Sequence, residues 1–276
     1  MKFRDILAIV GSATGDEHVI AAADQLASQN DGRVSGLLIG WLPPVSLAVE
    51  GWSITPVWGN VVEESKKQLA VGLERVREDL DRTGRSFGVE SELLELSAGR
   101  IVTGLRGRHA DITVVGRPRE DFGQAIVEGP LFESGRPVLV VPPAWKPRQI
   151  GKSILVCWKP TREAARALGD ADDFLVNASQ VTIATIDAQP SEDGYGPMPG
   201  LDIAAHLARR GTKVKLANLD SMGRTEVKAI QEHALAIDAD LIVMGGYGHS
   251  RMSEFMFGGM TREMLETATL PVLMSH

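Results

Sequence analysis

The chain reads as α/β: two tandem, doubly wound, five-stranded parallel-sheet domains. Three observations predict it. Its 276 residues are about twice the usual ~150 of one domain. Short segments rich in Val, Ile and Leu occur in two series of five, separated by amphipathic stretches. The wording of the two series also repeats. Continuous apolar strands alternating with helices imply a parallel sheet covered on both faces. The composition, 43% hydrophobic and 24% charged with 29 Gly and 14 Pro, is globular and excludes fibrous and disordered classes.

In the first half the strand segments are Ile6–Val10, Val34–Trp41, Val89–Leu96, Asp111–Gly116 and Pro137–Val141. Val62, Leu69, Leu73, Val76 and Leu80 fall on one helical face, and Gly84 beyond them is a C-terminal stop. An extra segment, Pro43–Asn60, precedes that helix and holds Trp52 and Trp58, aromatics read as packing between the halves or, alternatively, as covering a pocket. In the second half the strands are Ile154–Trp158, Val181–Asp187, Val214–Leu219, Asp240–Gly245 and Pro271–Met274, with a helix at Glu226–Ile237 before the fourth. Ala110-Asp111-Ile112-Thr113-Val114-Val115-Gly116 answers Ala239-Asp240-Leu241-Ile242-Val243-Met244-Gly245, and Arg136-Pro137-Val138-Leu139 answers Leu270-Pro271-Val272-Leu273. The Pro-rich stretch Pro142–Arg148 cannot continue a strand. It divides the chain into expected domains 1–147 and 148–276.

The loop after the fourth strand of the second half carries the chemistry. Gly245-Gly246-Tyr247-Gly248 is followed, after an intervening segment with Ser250 and Ser253, by Gly258-Gly259-Met260-Thr261. Glycines at a strand-to-helix junction let the backbone approach a ligand, and the next helix offers unpaired N–H groups and a positive dipole end. Phosphate is the natural guest, with the Thr261 hydroxyl as an added donor. In an open parallel sheet this loop lies at the carboxyl edge of the strands, where ligands bind.

The spacing Gly245-x2-Gly248-x9-Gly258, preceded by Ala-Asp-Leu-Ile-Val-Met-Gly and followed by Leu-Pro-Val-Leu, resembles the nucleotide-binding signature of the universal stress protein family. Both halves resemble the family's five-strand plan, so the chain resembles a tandem member. The resemblance implies sheet order 3-2-1-4-5 in each half and ATP, ADP or AMP as ligand, with or without Mg. It places Met244 and Gly245 near the ribose, Gly248 in the turn, and Gly258, Gly259, Met260 and Thr261 around the phosphates. It further implies that the two apolar fifth strands pair, so that the halves pack as a pseudo-dimer within one chain. Homodimerisation of the whole chain stays open.

Two departures bear on the site. Gly259 stands where the family usually has Ser or Thr, which removes a hydroxyl and keeps a backbone donor. Lys159 stands where the family has an adenine-side Asp at the end of strand one. A cation there gives up that contact and is suited instead to a phosphate or another acidic ligand. The first half keeps the spacing with Gly116, Arg119 and Gly129 but substitutes an arginine for the second glycine and follows the third with Pro130, which has no N–H. It reads as a degenerate copy.

No phosphate loop of the Gly-x4-Gly-Lys type or paired-His metal motif is present in the sequence. Asp170, Asp172 and Asp173 read as a solvated helix end, His249 as a neighbour of the glycine turn, and the single Cys157 as a small buried hydrophobe. A net charge of −7, spread over both halves, disfavours a nucleic-acid groove. With no leader-like start and no membrane-length apolar run, the expected location is the cytoplasm. The expectation is a non-catalytic, adenine-nucleotide-responsive stress or signalling protein, with the ligand in the second half and a surface read by a protein partner. The alternatives are a slow ATP hydrolase or nucleotidyl-transfer enzyme on the same fold, and a scaffold that binds no nucleotide.

Overall fold

The computed structural model describes residues 3–11, 15–42, 55–85, 87–118, 120–190, 194–246 and 259–276. It divides into two compact units, Phe3–Ser134 and Gly135–His276.

The first unit holds β1 (Asp5–Val10), α1 (Glu17–Asn30), β2 (Arg33–Trp41), α2 (Thr55–Asp81), β3 (Phe87–Leu94), α3 (Leu96–Gly107), β4 (Ile112–Gly116) and α4 (Glu120–Glu133). Its strands run parallel in the order β3-β2-β1-β4. β1 is buried from Ile6 to Val10, as a strand covered on both faces must be. Val76 and Leu80 of the predicted α2 face are buried, and Gly84 takes φ +68° just past the helix end, the left-handed conformation that stops helices. The expected third strand reached Leu96. In the structure it ends at Leu94, because Glu95 is already the cap of α3. Trp58 lies on α2, whereas Trp52 falls outside the described residues.

α3 and α4 pack through small residues. A Cβ on Gly129 would run into the Thr103 hydroxyl and the Arg100 carbonyl, and one on Gly104 would meet the Glu133 side chain. Gly129 and Pro130 are therefore interior residues of α4. Gly129, the last position of the first half's degenerate copy of the spacing, serves a helix–helix contact; Arg119 lies outside the described residues.

The second unit adds β5 (Val138–Val141), β6 (Ser153–Cys157), α5 (Arg162–Asp170), α6 (Asp172–Asn177), β7 (Gln180–Ile186), α7 (Leu201–Arg209), β8 (Val214–Leu219), α8 (Glu226–Ala236), β9 (Leu241–Gly245), α9 (Gly259–Thr267) and β10 (Val272–Ser275). β8-β7-β6-β9-β10 is a parallel 3-2-1-4-5 sheet. On its β10 edge it gains β5, antiparallel, with Val272 opposite Val140 and Met274 opposite Val138. The two fifth strands thus pair with each other. That pairing places the division between compact units at Ser134/Gly135, ahead of the Pro-rich stretch where the sequence suggested a boundary near 147.

The repeated Ala-Asp dipeptide has one structural task in both units. Asp111 Oδ2 accepts from the backbone N–H groups of Arg4 and Asp5. Asp240 accepts from those of Gly151, Lys152 and Ser153. Each carboxylate ties the start of its unit's first strand to the start of the fourth. Among the described residues no helix is long and apolar enough to cross a membrane.

Candidate functional site

A cavity of about 350 Å³ opens at the carboxyl ends of β6, β7 and β9, the ligand-binding edge of an open α/β sheet. Sheet register builds its floor: Cys157 at the end of β6 lies opposite both Ala184 of β7 and Met244 of β9. Ile186 and Trp158 extend this apolar surface. The size is that of a small-molecule pocket.

The polar walls come from helix starts. Thr161 caps α5, its hydroxyl accepting from the Ala164 N–H at 3.3 Å. Thr225 caps α8 in the same way through Lys228, which leaves Glu226 in the first turn, at the cavity. Gly259, Met260 and Thr261 open α9, at the end of a helix whose dipole favours an anion. No described atom comes within 4 Å of a Cβ built on Gly259.

Of the residues singled out in sequence, Lys159, Met244, Gly245, Gly259, Met260 and Thr261 all line this one cavity. Gly248 and Gly258 lie outside the described residues, as do Ser250, Ser253 and His249. Gly245, which lines the cavity, also has a packing reason for being glycine. Its φ is not positive, and a Cβ there would lie 2.6 Å from the Ala164 nitrogen. Its bareness lets α5 rest on β9. Lys159 is exposed at the rim, and none of the ion pairs among the described residues uses its ammonium.

The residues missed in sequence are Trp158, Thr161, Glu163, Ile186, Tyr195 and Glu226. Burial and the nearby charge of Glu226 raise the Tyr195 phenol above its ordinary range. Burial alone would raise the Glu163 carboxyl, but the Arg162 guanidinium, its own backbone N–H and the Thr161 hydroxyl bring it below the usual carboxylate value. Thr161, a hydroxyl residue opening a helix after a strand, was the legible signal among them. Cys157 is buried as expected, and burial pushes its thiol up to about 12.

The other candidates fall away on geometry. Asp170 pairs with Arg166 and Asp172 with Arg210, so two of the three carboxylates of the acidic cluster are in ordinary ion pairs. Among the described residues no group of His, Cys, Asp and Glu is placed to hold a metal ion. A second cavity, about 440 Å³ in the first unit, opens at the amino ends of β1 and β2. Its Arg106 is already matched by Glu90 and Glu92, which leaves little charge for an anion.

Residues 151–276 match the model of the Universal stress protein family. No curated protein matches the chain in sequence. Among solved structures, the chain is similar to a universal stress protein from Archaeoglobus fulgidus DSM 4304, at 16% identity and a TM-score of 0.71, with 100% of this chain and 99% of that chain covered. It is also similar to a functionally unknown protein from Pseudomonas aeruginosa PAO1, at 14% identity and a TM-score of 0.55, with 99% and 92% covered. At these identities the likeness establishes the fold, and it does so over both halves.

Proposed function

From the universal stress protein domain at residues 151–276, we propose that the chain binds an adenine nucleotide in the cavity of its second half and acts as a non-catalytic, nucleotide-responsive protein. The observation that carries this reading is the convergence of Lys159, Met244, Gly245, Gly259, Met260 and Thr261 on one cavity at the carboxyl edge of the sheet. The apolar floor of Cys157, Ala184 and Ile186 suits a base. The first turn of α9, with its backbone N–H groups and the Thr261 hydroxyl, suits phosphates, and the Lys159 ammonium at the rim adds a charge-assisted partner. In the first half Gly129 and Pro130 are committed to the interior of α4, so ligand occupancy belongs to the second. ATP, ADP and AMP are the candidate ligands, and protein partners would read the surface that changes with occupancy.

The test is to denature the purified protein and identify any released nucleotide by mass spectrometry, together with thermal shifts on adding ATP, ADP or AMP. A co-purifying adenine nucleotide, or a rise in melting temperature that saturates with ligand, is the expected result. Finding neither sinks the reading.

A further inference from the structure

Two carboxylates are buried among the described residues, Glu163 at 5% exposure and Asp240 at 8%. Removing a carboxylate from water is costly unless other groups replace its hydration, so each calls for a reason. Asp240 has a structural one: it joins the start of β9 to three backbone N–H groups before and within β6. Among the described residues Glu163 joins nothing distant. Its partners are its own sequence neighbours, with Arg162 Nε donating to Oε1 at 2.5 Å. The Arg162 side chain is itself 79% exposed, so it neutralises the carboxylate without fastening one segment to another.

Glu163 instead lines the cavity. It sits in the first turn of α5, and a Cβ on Gly245 would lie 3.0 Å from its own Cβ. That contact places the side chain beside the end of β9, where the chain leaves the apolar floor for α9. An ionised carboxylate only accepts hydrogen bonds, through two adjacent oxygens. It repels phosphate and suits a neutral group with paired donors, and a ribose presents such a pair in its vicinal hydroxyls.

We infer that Glu163 is the ribose-recognising residue of the second-half cavity, accepting hydrogen bonds from the 2′- and 3′-hydroxyls of the bound nucleotide. The inference rests on the nucleotide-binding reading above. It assigns the neutral middle of the ligand to Glu163 and leaves the anionic end to Lys159 and the first turn of α9. A charged acceptor buried against a ligand diol favours the ribose forms, because a ligand without the hydroxyls forgoes both charge-assisted hydrogen bonds while still excluding water from the carboxylate.

The experiment measures Kd by calorimetry for ATP and AMP and for their 2′,3′-dideoxy counterparts, with the wild type, Glu163→Gln and Glu163→Ala, folding of each variant being checked by circular dichroism. The wild type is expected to prefer the ribose forms by about tenfold or more, in line with loss of a charge-assisted pair. Both variants should compress that ratio to about twofold while holding the dideoxy ligands as well as the wild type does. A wild type that does not distinguish the two sugars overturns the inference, as does a ratio that survives in either variant. Wild-type protein that binds none of the four ligands removes the nucleotide reading itself, and this inference with it.

Discussion

Gly245 and Ala164 are in backbone contact: a Cβ at residue 245 would lie 2.6 Å from the Ala164 nitrogen and 2.7 Å from the Glu163 carbonyl carbon. The end of β9 and the first turn of α5 therefore hold each other, and both line the cavity. Gly245→Ala should cost about 2–3 kcal/mol, as overpacking against backbone does, and should weaken nucleotide binding because α5 must lift. Urea denaturation and a binding isotherm on the same variant check this. A variant with wild-type stability would show that the contact relaxes freely.

Gly259 is the opposite case. A Cβ there meets no described atom within 4 Å, so Gly259→Ser should fold normally. The added hydroxyl stands in the first turn of α9 and can donate to an anion. An ATP affinity about tenfold tighter is expected, equivalent to one hydrogen bond to a charged group. Competition binding measures it, and an unchanged or weaker affinity would place the phosphates away from this turn.

In the first unit, Gly129→Ala should separate α3 from α4, since the new methyl would overlap the Thr103 hydroxyl and the Arg100 carbonyl. The expected loss is about 2–3 kcal/mol, with ATP binding unaltered. Loss of binding at retained fold would mean that this glycine, too, serves a ligand.

Burial raises the Cys157 thiol from 9.0 to about 12. The native thiol therefore stays protonated well beyond the pH at which the unfolded one ionises. Its contribution to stability is whole below about 9 and declines as pH rises through the interval, because only the unfolded chain releases the proton there. At about pH 8 the native thiolate fraction should be about a thousandfold below that of an ordinary thiol. Iodoacetamide labelling followed by mass spectrometry should find Cys157 protected in the native protein and modified in urea. Equal labelling in both would contradict the burial.

Much of the fold was legible because its signals are local. Among the described residues each strand lies within two residues of the segment read from sequence, and the central ones, such as β1 and β6, are apolar along their length because they are covered on both faces. The repeated Ala-Asp dipeptide was visible as wording, and the structure supplies its cause in the clamps made by Asp111 and Asp240. Gly245, Gly259 and Thr261 could be singled out because they flank one loop.

By itself, then, the sequence determined two α/β repeats and their strands, and it singled out the glycine loop of the second half. Tertiary structure decided the rest. Glu163, Tyr195 and Glu226 reach the cavity from three separate segments, and no local pattern records which helix start will come to rest beside which strand end. Gly259 and Gly129 lie in corresponding stretches of the two halves, yet a Cβ on Gly259 meets no described atom within 4 Å while one on Gly129 runs into α3. β5 belongs with β10 because its exposed ladder of N–H and C=O groups finds a partner there. Burial and pairing between distant segments are properties of three-dimensional proximity, and only the folded chain expresses them.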